Sequence, residues 1–195
     1  MVKIGVLALQ GAFREHRKML ERLNVHVQEV RLPEHLMGID GLIIPGGEST
    51  TMGKLMVDFS LREPIRRLAE ANKPIWGTCA GTILLANTIE TQVDQSWVLS
   101  DQPHLDLIDI TVRRNAFGRQ IDSFEANLEV MGLDRSFPAV FIRAPIIARV
   151  GPGVQVLSTV HENVVLVRQG NILCSSFHPE LGQDPRIHEM FLGWV

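Results

Sequence analysis

Along the first half of the chain, short apolar runs alternate with stretches whose apolar residues recur every three or four positions. Val2–Ala8 is apolar and β-branched and stops at Gln10-Gly11, which predicts a buried strand. In Ala12–Leu23, residues Phe13, His16, Met19, Leu20 and Leu23 share one face, with Arg14, Glu15, Arg17, Lys18 and Glu21 outside. That is an amphipathic helix. Val25–Leu32 alternates like a strand, Pro33–Ile39 is a short helical or irregular link, and Gly41–Ile44 is another buried strand, stopped by Pro45-Gly46-Gly47. Thr50–Asp58 and Pro64–Ala71 read as helices, with Pro64 suited to a first turn. Pro74–Gly77 is the next strand, and an apolar helix-forming segment follows Cys79. Strands alternating with helices imply an α/β fold with a doubly wound, mostly parallel central sheet.

The second half changes character. Leu107–Val112, Ser123–Met131, Ala139–Ile142, Ile146–Val150, Val154–Thr159, Val164–Arg168 and Ile172–Ser176 all read as strands, several joined by turns such as Gly151-Pro152-Gly153 and Gln169-Gly170-Asn171. Antiparallel strands are therefore expected to join the sheet here. Asp184–Trp194 is a closing helix, and Thr91–Gln102 is polar, unpatterned and expected to be a surface excursion. No repeat or linker interrupts the chain, so residues 1–195 are expected to form one domain.

Composition narrows the function. Hydrophobic residues make up 45% and charged residues 21%, as in ordinary globular proteins. A net charge of −3 gives nucleic-acid binding no electrostatic support. The two cysteines, Cys79 and Cys174, are too few for a disulfide framework and suit a reducing compartment. The apolar start is too short for a signal peptide and no run is long enough to span a bilayer, so a cytoplasmic location is expected.

Three stretches carry candidate chemistry. In Gly77-Thr78-Cys79-Ala80-Gly81 a thiol stands at a sharp strand-to-helix turn, a nucleophile elbow of the G-x-C-x-G type. The helix start beside the sulfur favours thiolate. For Cys79 by itself, a buried core thiol is an equal reading. In Ser176-Phe177-His178-Pro179-Glu180, Pro179 biases His178 to an extended conformation. Residues two apart then project together, so His178 can face the thiol while Glu180 holds its other nitrogen. His16, His26, His35, His104, His161 and His188 lack such a neighbourhood and are expected at the surface or core edge. In Pro45-Gly46-Gly47-Glu48-Ser49-Thr50, the loop follows a buried strand, at the sheet edge where ligands bind. The Gly47 N–H, with the Ala80 N–H that follows the nucleophile, can form an oxyanion hole. A phosphate loop is the rival, but no Gly-Lys-Ser/Thr follows.

Taken together, these three motifs resemble the class I, triad-type glutamine amidotransferases, whose fold is flavodoxin-like. Leu9-Gln10-Gly11-Ala12-Phe13-Arg14-Glu15-His16, Arg114-Asn115-Ala116-Phe117-Gly118-Arg119-Gln120 with Asp122-Ser123-Phe124-Glu125, and Phe141-Ile142-Arg143-Ala144-Pro145 are similar to the glutaminase subunits of pyridoxal 5′-phosphate synthases. The resemblance implies Cys79 as nucleophile with His178 and Glu180 completing the triad. It implies L-glutamine held by Gly47, Glu48, Ser49, Arg114, Ile142 and Arg143. It further implies hydrolysis to L-glutamate and ammonia, delivered to a synthase subunit in a hetero-oligomer. The expected classes of activity are hydrolase and lyase, with no metal or organic cofactor. A glutaminase for another acceptor, such as imidazole glycerol phosphate synthase, a cysteine peptidase-like hydrolase and a silent binding module are the alternatives. The Gln10-Gly11-Ala12 motif, the Pro-Gly-Gly-Glu-Ser loop and the intact Cys79, His178 and Glu180 set argue against them in turn.

Overall fold

The computed structural model describes residues 2–114 and 123–195. The Asn115–Gln120 motif and Asp122 lie outside them.

Five short runs that the sequence marks as strands form the parallel centre of a sheet: β1 (Lys3–Leu7), β2 (His26–Val30), β3 (Gly41–Ile44), β4 (Ile75–Thr78) and β13 (Ile172–Ser175). Their order is β2-β1-β3-β4-β13, and every neighbouring pair in it is parallel. Alternate residues of each strand face opposite sides. Leu42 and Ile44 of β3 and Ile75 of β4 enter one apolar cluster, while Ile43 and Trp76 enter the other. Helices fill both sides. α2 (Ser49–Asp58), α3 (Arg62–Glu70) and α4 (Ala80–Leu85) bring Met52, Met56, Ile65 and Leu84 to the first cluster. α1 (Phe13–Arg22) and α5 (Arg186–Leu192) bring Leu20, Ile187 and Phe191 to the second. This double winding places the loops after β1, β3, β4 and β13 at one sheet edge, the usual ligand side of such sheets.

The rest of the sheet is mixed. Beyond β13 come β12 (Asn163–Gln169), β10 (Ile146–Val150), β7 (Ile108–Arg113), β5 (Ala86–Val93) and β6 (Ser96–Leu99), and β11 (Gln155–Val160) pairs with β12. Only β5 and β7 are parallel among these pairs. A separate hairpin of β8 (Ser123–Leu128) and β9 (Phe137–Ile142) lays Leu128, Phe137 and Phe141 on the second cluster.

One expectation changes. Thr91–Gln102 is largely an antiparallel hairpin rather than an unpatterned excursion: Thr91 pairs with Val98 and Gln92 with Trp97. Asp94 and Gln95 turn it with φ of 55° and 90°. Two successive positive φ values make the tight hairpin turn whose twist matches the strands. No helix among the described residues is long and apolar enough to cross a membrane.

Candidate active site

β4 ends in the elbow. Cys79 has φ 49° and ψ −103°, a conformation that costs a side-chain-bearing residue on the order of 1–3 kcal/mol. The surroundings hold it there. Cys79 N–H donates to the Ser175 carbonyl at 2.8 Å, and the Thr82 hydroxyl lies 2.9 and 2.8 Å from the carbonyls of Gly77 and Ser175. The two motif glycines allow α4 to pack this close. A Cβ on Gly77 would collide with the Gly81 backbone, and one on Gly81 with the Ile44 carbonyl. Ala80 opens α4, so its N–H has no acceptor within the helix. α4 is only six residues long, which limits its dipole.

His178 comes from the segment that follows the neighbouring strand β13. Its N–H donates to the Val140 carbonyl at 2.8 Å. Its Nδ1 lies 2.7 Å from Oε1 of Glu180, and Cys79 is near enough to influence its charge. Cys79, His178 and Glu180 are 7%, 8% and 5% exposed, so the row is nearly water-free yet open at the sulfur end. Burial alone would lower the imidazole pKa, but the interactions with Cys79 and Glu180 outweigh it and raise it to about 10. The alignment has a different local cause from the expected one. His178, at φ −111° and ψ 83°, falls short of the expected extended conformation, and Pro179–Leu181 is a 3-10 turn that brings the carboxylate back under the ring. Cys174 has none of this: it is fully buried in β13, and desolvation pushes its thiol pKa far up.

Above the sulfur lies a cavity of about 360 Å³. The loop after β3 and the first residue of α2 supply Gly46, Gly47, Glu48 and Ser49 to its wall, the loop after β1 supplies Gln10, Gly11 and Ala12, and Arg114, Ile142 and Arg143 close the far side. All the expected site residues thus meet at one place. Gly46 lies against His178: a Cβ there would run into its ring. Its carbonyl accepts from Ala12 N–H at 2.9 Å, and Glu48 N–H donates to Gln10 Oε1 at 2.7 Å. The Cys79 sulfur sits 3.9 Å from the Ile142 carbonyl oxygen.

The charged groups differ in how firmly they are held. Glu48 caps α2, accepting from the N–H groups of Thr50 at 3.1 Å and Thr51 at 2.7 Å, and its Oε1 is 3.3 Å from Arg114 Nη2. The burial cost on its carboxylate is outweighed by the Thr50, Thr51 and Arg114 contacts, and its pKa is held below the usual range. Arg114 also donates from Nη1 to Thr50 Oγ1 at 2.9 Å and to Gln102 Oε1 at 2.5 Å. Arg143 is exposed, has φ 42°, and makes no ion pair among the described residues.

Sequence reasoning missed three residues. Gln102, 5% exposed, braces Arg114 and accepts from Ser49 Oγ at 3.3 Å, although it comes from the stretch read as surface. His16 and His188 are fully buried beneath Glu180 rather than at the surface or core edge. The three-and-four spacing that put His16 on the inner face of α1 was the one available signal.

The SNO glutamine amidotransferase family model matches residues 6–195. "Pyridoxal 5′-phosphate synthase subunit PdxT" of Deinococcus radiodurans is 56% identical over 190 residues, covering 97% of this chain and 95% of that protein. The protein of the same name from Moorella thermoacetica is 55% identical over 195 residues and all of both chains. A solved structure described as a glutamine amidotransferase superposes with a TM-score of 0.90 at 51% identity, covering 98% of this chain and 97% of that one. The structure of PurLQS from Thermotoga maritima, with a TM-score of 0.70 and 15% identity over 99% and 98% of the chains, shares the fold. The family match overturns the expected lyase class: an amidotransferase cleaves an amide and performs no elimination. The chain belongs to the SNO glutamine amidotransferase family.

Proposed function

We propose that this chain, as a single glutaminase domain, hydrolyses L-glutamine to L-glutamate and ammonia, and passes the ammonia to the synthase subunit of a pyridoxal 5′-phosphate synthase. The observation that carries the chemistry is the buried row Cys79, His178 and Glu180 opening into the cavity under the Gly46-Gly47 loop. Cys79 sulfur attacks the side-chain amide carbon. The oxyanion is met by the N–H groups of Gly47 and Ala80. His178 gives its proton to the departing nitrogen, which leaves as ammonia, and a γ-glutamyl thioester remains. His178 then takes a proton from water, hydroxide adds to the thioester carbon, and glutamate leaves as Cys79 recovers its thiolate. Glu180 holds the imidazole in the tautomer that presents Nε2 to the sulfur.

Gly47, Glu48, Ser49, Arg114, Ile142 and Arg143 hold the amino-acid end of glutamine. Arg114 is the stronger anchor for its carboxylate, because Glu48, Thr50 and Gln102 already fix its guanidinium. Those bonds use three of five donors and leave two for the substrate. The acceptor assignment rests on the PdxT name shared by relatives at 51–56% identity. A cytoplasmic location fits two reduced thiols, one of them nucleophilic. The test mixes the protein with a pyridoxal 5′-phosphate synthase subunit, its pentose and triose phosphates and amide-¹⁵N glutamine. Label in pyridoxal 5′-phosphate is expected. Stimulated glutamate release with an imidazole glycerol phosphate synthase cyclase, and none with the former partner, would overturn the assignment.

A further inference from the structure

Beneath the triad, three side chains from distant parts of the chain form a buried polar chain. Oε1 of Glu180 holds His178, but Oε2, equally buried, makes no hydrogen bond of good geometry. His16 Nε2 from α1 lies 3.4 Å from that oxygen and 3.2 Å from Thr78 Oγ1. On the other side of the ring, His16 Nδ1 is 3.0 Å from His188 Nε2 of α5. His188 Nδ1 has no partner. Both rings are fully buried and make near-perpendicular contacts with the Trp76 ring.

Only one arrangement of protons suits these contacts. Burial lowers the pKa of both histidines, His16 well below its ordinary value and His188 to about 3, so each carries a single N–H. If His16 donated from Nδ1, His188 would have to accept at Nε2 and carry its proton on Nδ1. That would strand a buried N–H, a rare and costly fault. It would also aim the His16 Nε2 lone pair at a carboxylate oxygen. In the opposite arrangement His188 Nε2–H donates to His16 Nδ1. His16 Nε2–H then faces Thr78 Oγ1 and Glu180 Oε2, and only a bare nitrogen is left unpartnered on His188.

We propose that His16, locked as its Nε2–H tautomer by His188, is a positioning residue that supplies the proton facing the second oxygen of Glu180 and so fixes the carboxylate under His178. This rests on reading Cys79, His178 and Glu180 as the triad. It gives α1 two holds on the site, one here and one at the Gly46 loop through Ala12. Without that proton a carboxylate oxygen is buried with no donor, and its support for the His178 imidazolium weakens. The other titratable group facing His178 is Cys79, and those facing His16 are His188 and His178.

The direct test is long-range ¹H–¹⁵N correlation on wild-type protein carrying ¹⁵N-histidine, with signals assigned from His16→Gln and His188→Phe. Neutral Nε2–H forms are expected for both residues at pH 7. A His16 proton on Nδ1, or a doubly protonated His16, would overturn the proposal. This needs no turnover, so it fails or succeeds apart from the glutaminase reading. The second readout is glutamate release in the presence of the synthase subunit. His16→Leu is expected to lower kcat on the order of 10–100-fold, as loss of a supporting hydrogen-bond partner does. KM for glutamine should hold, and the alkaline limb of the kcat profile should move to lower pH. His16→Gln, which keeps an N–H at that point, is expected to recover most of the loss. Wild-type kcat and pH profile in the Leu variant, or an equal fall in the Gln variant, would contradict the assignment.

Discussion

The N–H of Ala12 donates to the carbonyl of Gly46 across 2.9 Å, tying the start of the first helix to the loop over Cys79. In a trans peptide the following N–H, that of Gly47, points the opposite way from that carbonyl. Turning this one peptide over would break the Ala12 bond and exchange a donor for a carbonyl in the oxyanion hole. A misplaced donor of this kind lowers turnover roughly 10²–10³-fold. We expect the synthase subunit to raise kcat more than it lowers KM. Gln10→Ala, which removes the acceptor for Glu48 N–H in the same segment, should blunt that activation. Steady-state kinetics with and without the subunit decide it, and full activity of the isolated wild-type chain would end the gating account.

The two arginines at the far wall should separate in a binding assay. Arg114→Met is expected to raise KM for glutamine more than Arg143→Met, because Arg114 is prearranged and also steadies Glu48. Gln102→Leu should act in the same direction as Arg114→Met, more weakly, since Gln102 only braces that guanidinium. Unchanged glutamine affinity in both arginine variants would place the anchor elsewhere.

Much of this was legible beforehand, and the exceptions have physical causes. The central strands and helices were readable because they are buried on defined faces, and burial imposes the hydrophobic period. The β5–β6 hairpin is a sheet edge with Val93, Val98 and Leu99 exposed, so no alternation marks it, and the turn at Asp94-Gln95 lacks glycine. Gln102 was hidden for the same reason. The grouping of Cys79, His178 and Glu180 was readable from local spacing around Cys79 and His178. The contact between His16 and His188, 172 positions apart, exists only after the sheet brings α1 and α5 side by side.

Stability should depend on pH through the buried histidines. His16 and His188 have folded-state pKa values below the ordinary 6.5. Below 6.5 the unfolded chain therefore binds protons that the folded chain refuses. Their contribution is complete above 6.5 and is lost as pH falls, by up to about 1.4 kcal/mol per pH unit for each histidine. His178 acts oppositely. Raised to about 10, its contribution is complete below 6.5 and disappears as pH climbs through 10. Lowered carboxylates such as Asp184 act only at lower pH, around and below their ordinary 3.8. Urea unfolding between pH 5 and 8 should thus show a maximum near 6.5. His188→Phe should flatten the acid side. A flat profile from pH 5 to 6.5 would contradict the neutral, buried assignment.

On the proposed reading, His178 moves protons and Glu180 holds it. His178→Asn should lower kcat on the order of 10²–10⁴-fold. Glu180→Gln should cost less, because the amide can still accept from Nδ1–H. Glutamate release measured with the synthase subunit present checks the order, and a negligible loss in both variants would remove the triad.

The most direct measurement is rapid acid quench of the complex during glutamine turnover, followed by peptide mass spectrometry. The account expects a γ-glutamyl adduct on the peptide carrying Cys79. It should be absent from Cys79→Ala, which is expected still to bind glutamine, and retained in Cys174→Ala, whose replaced thiol is fully buried in β13. An adduct on Cys174, or glutamate release that survives Cys79→Ala, would contradict it.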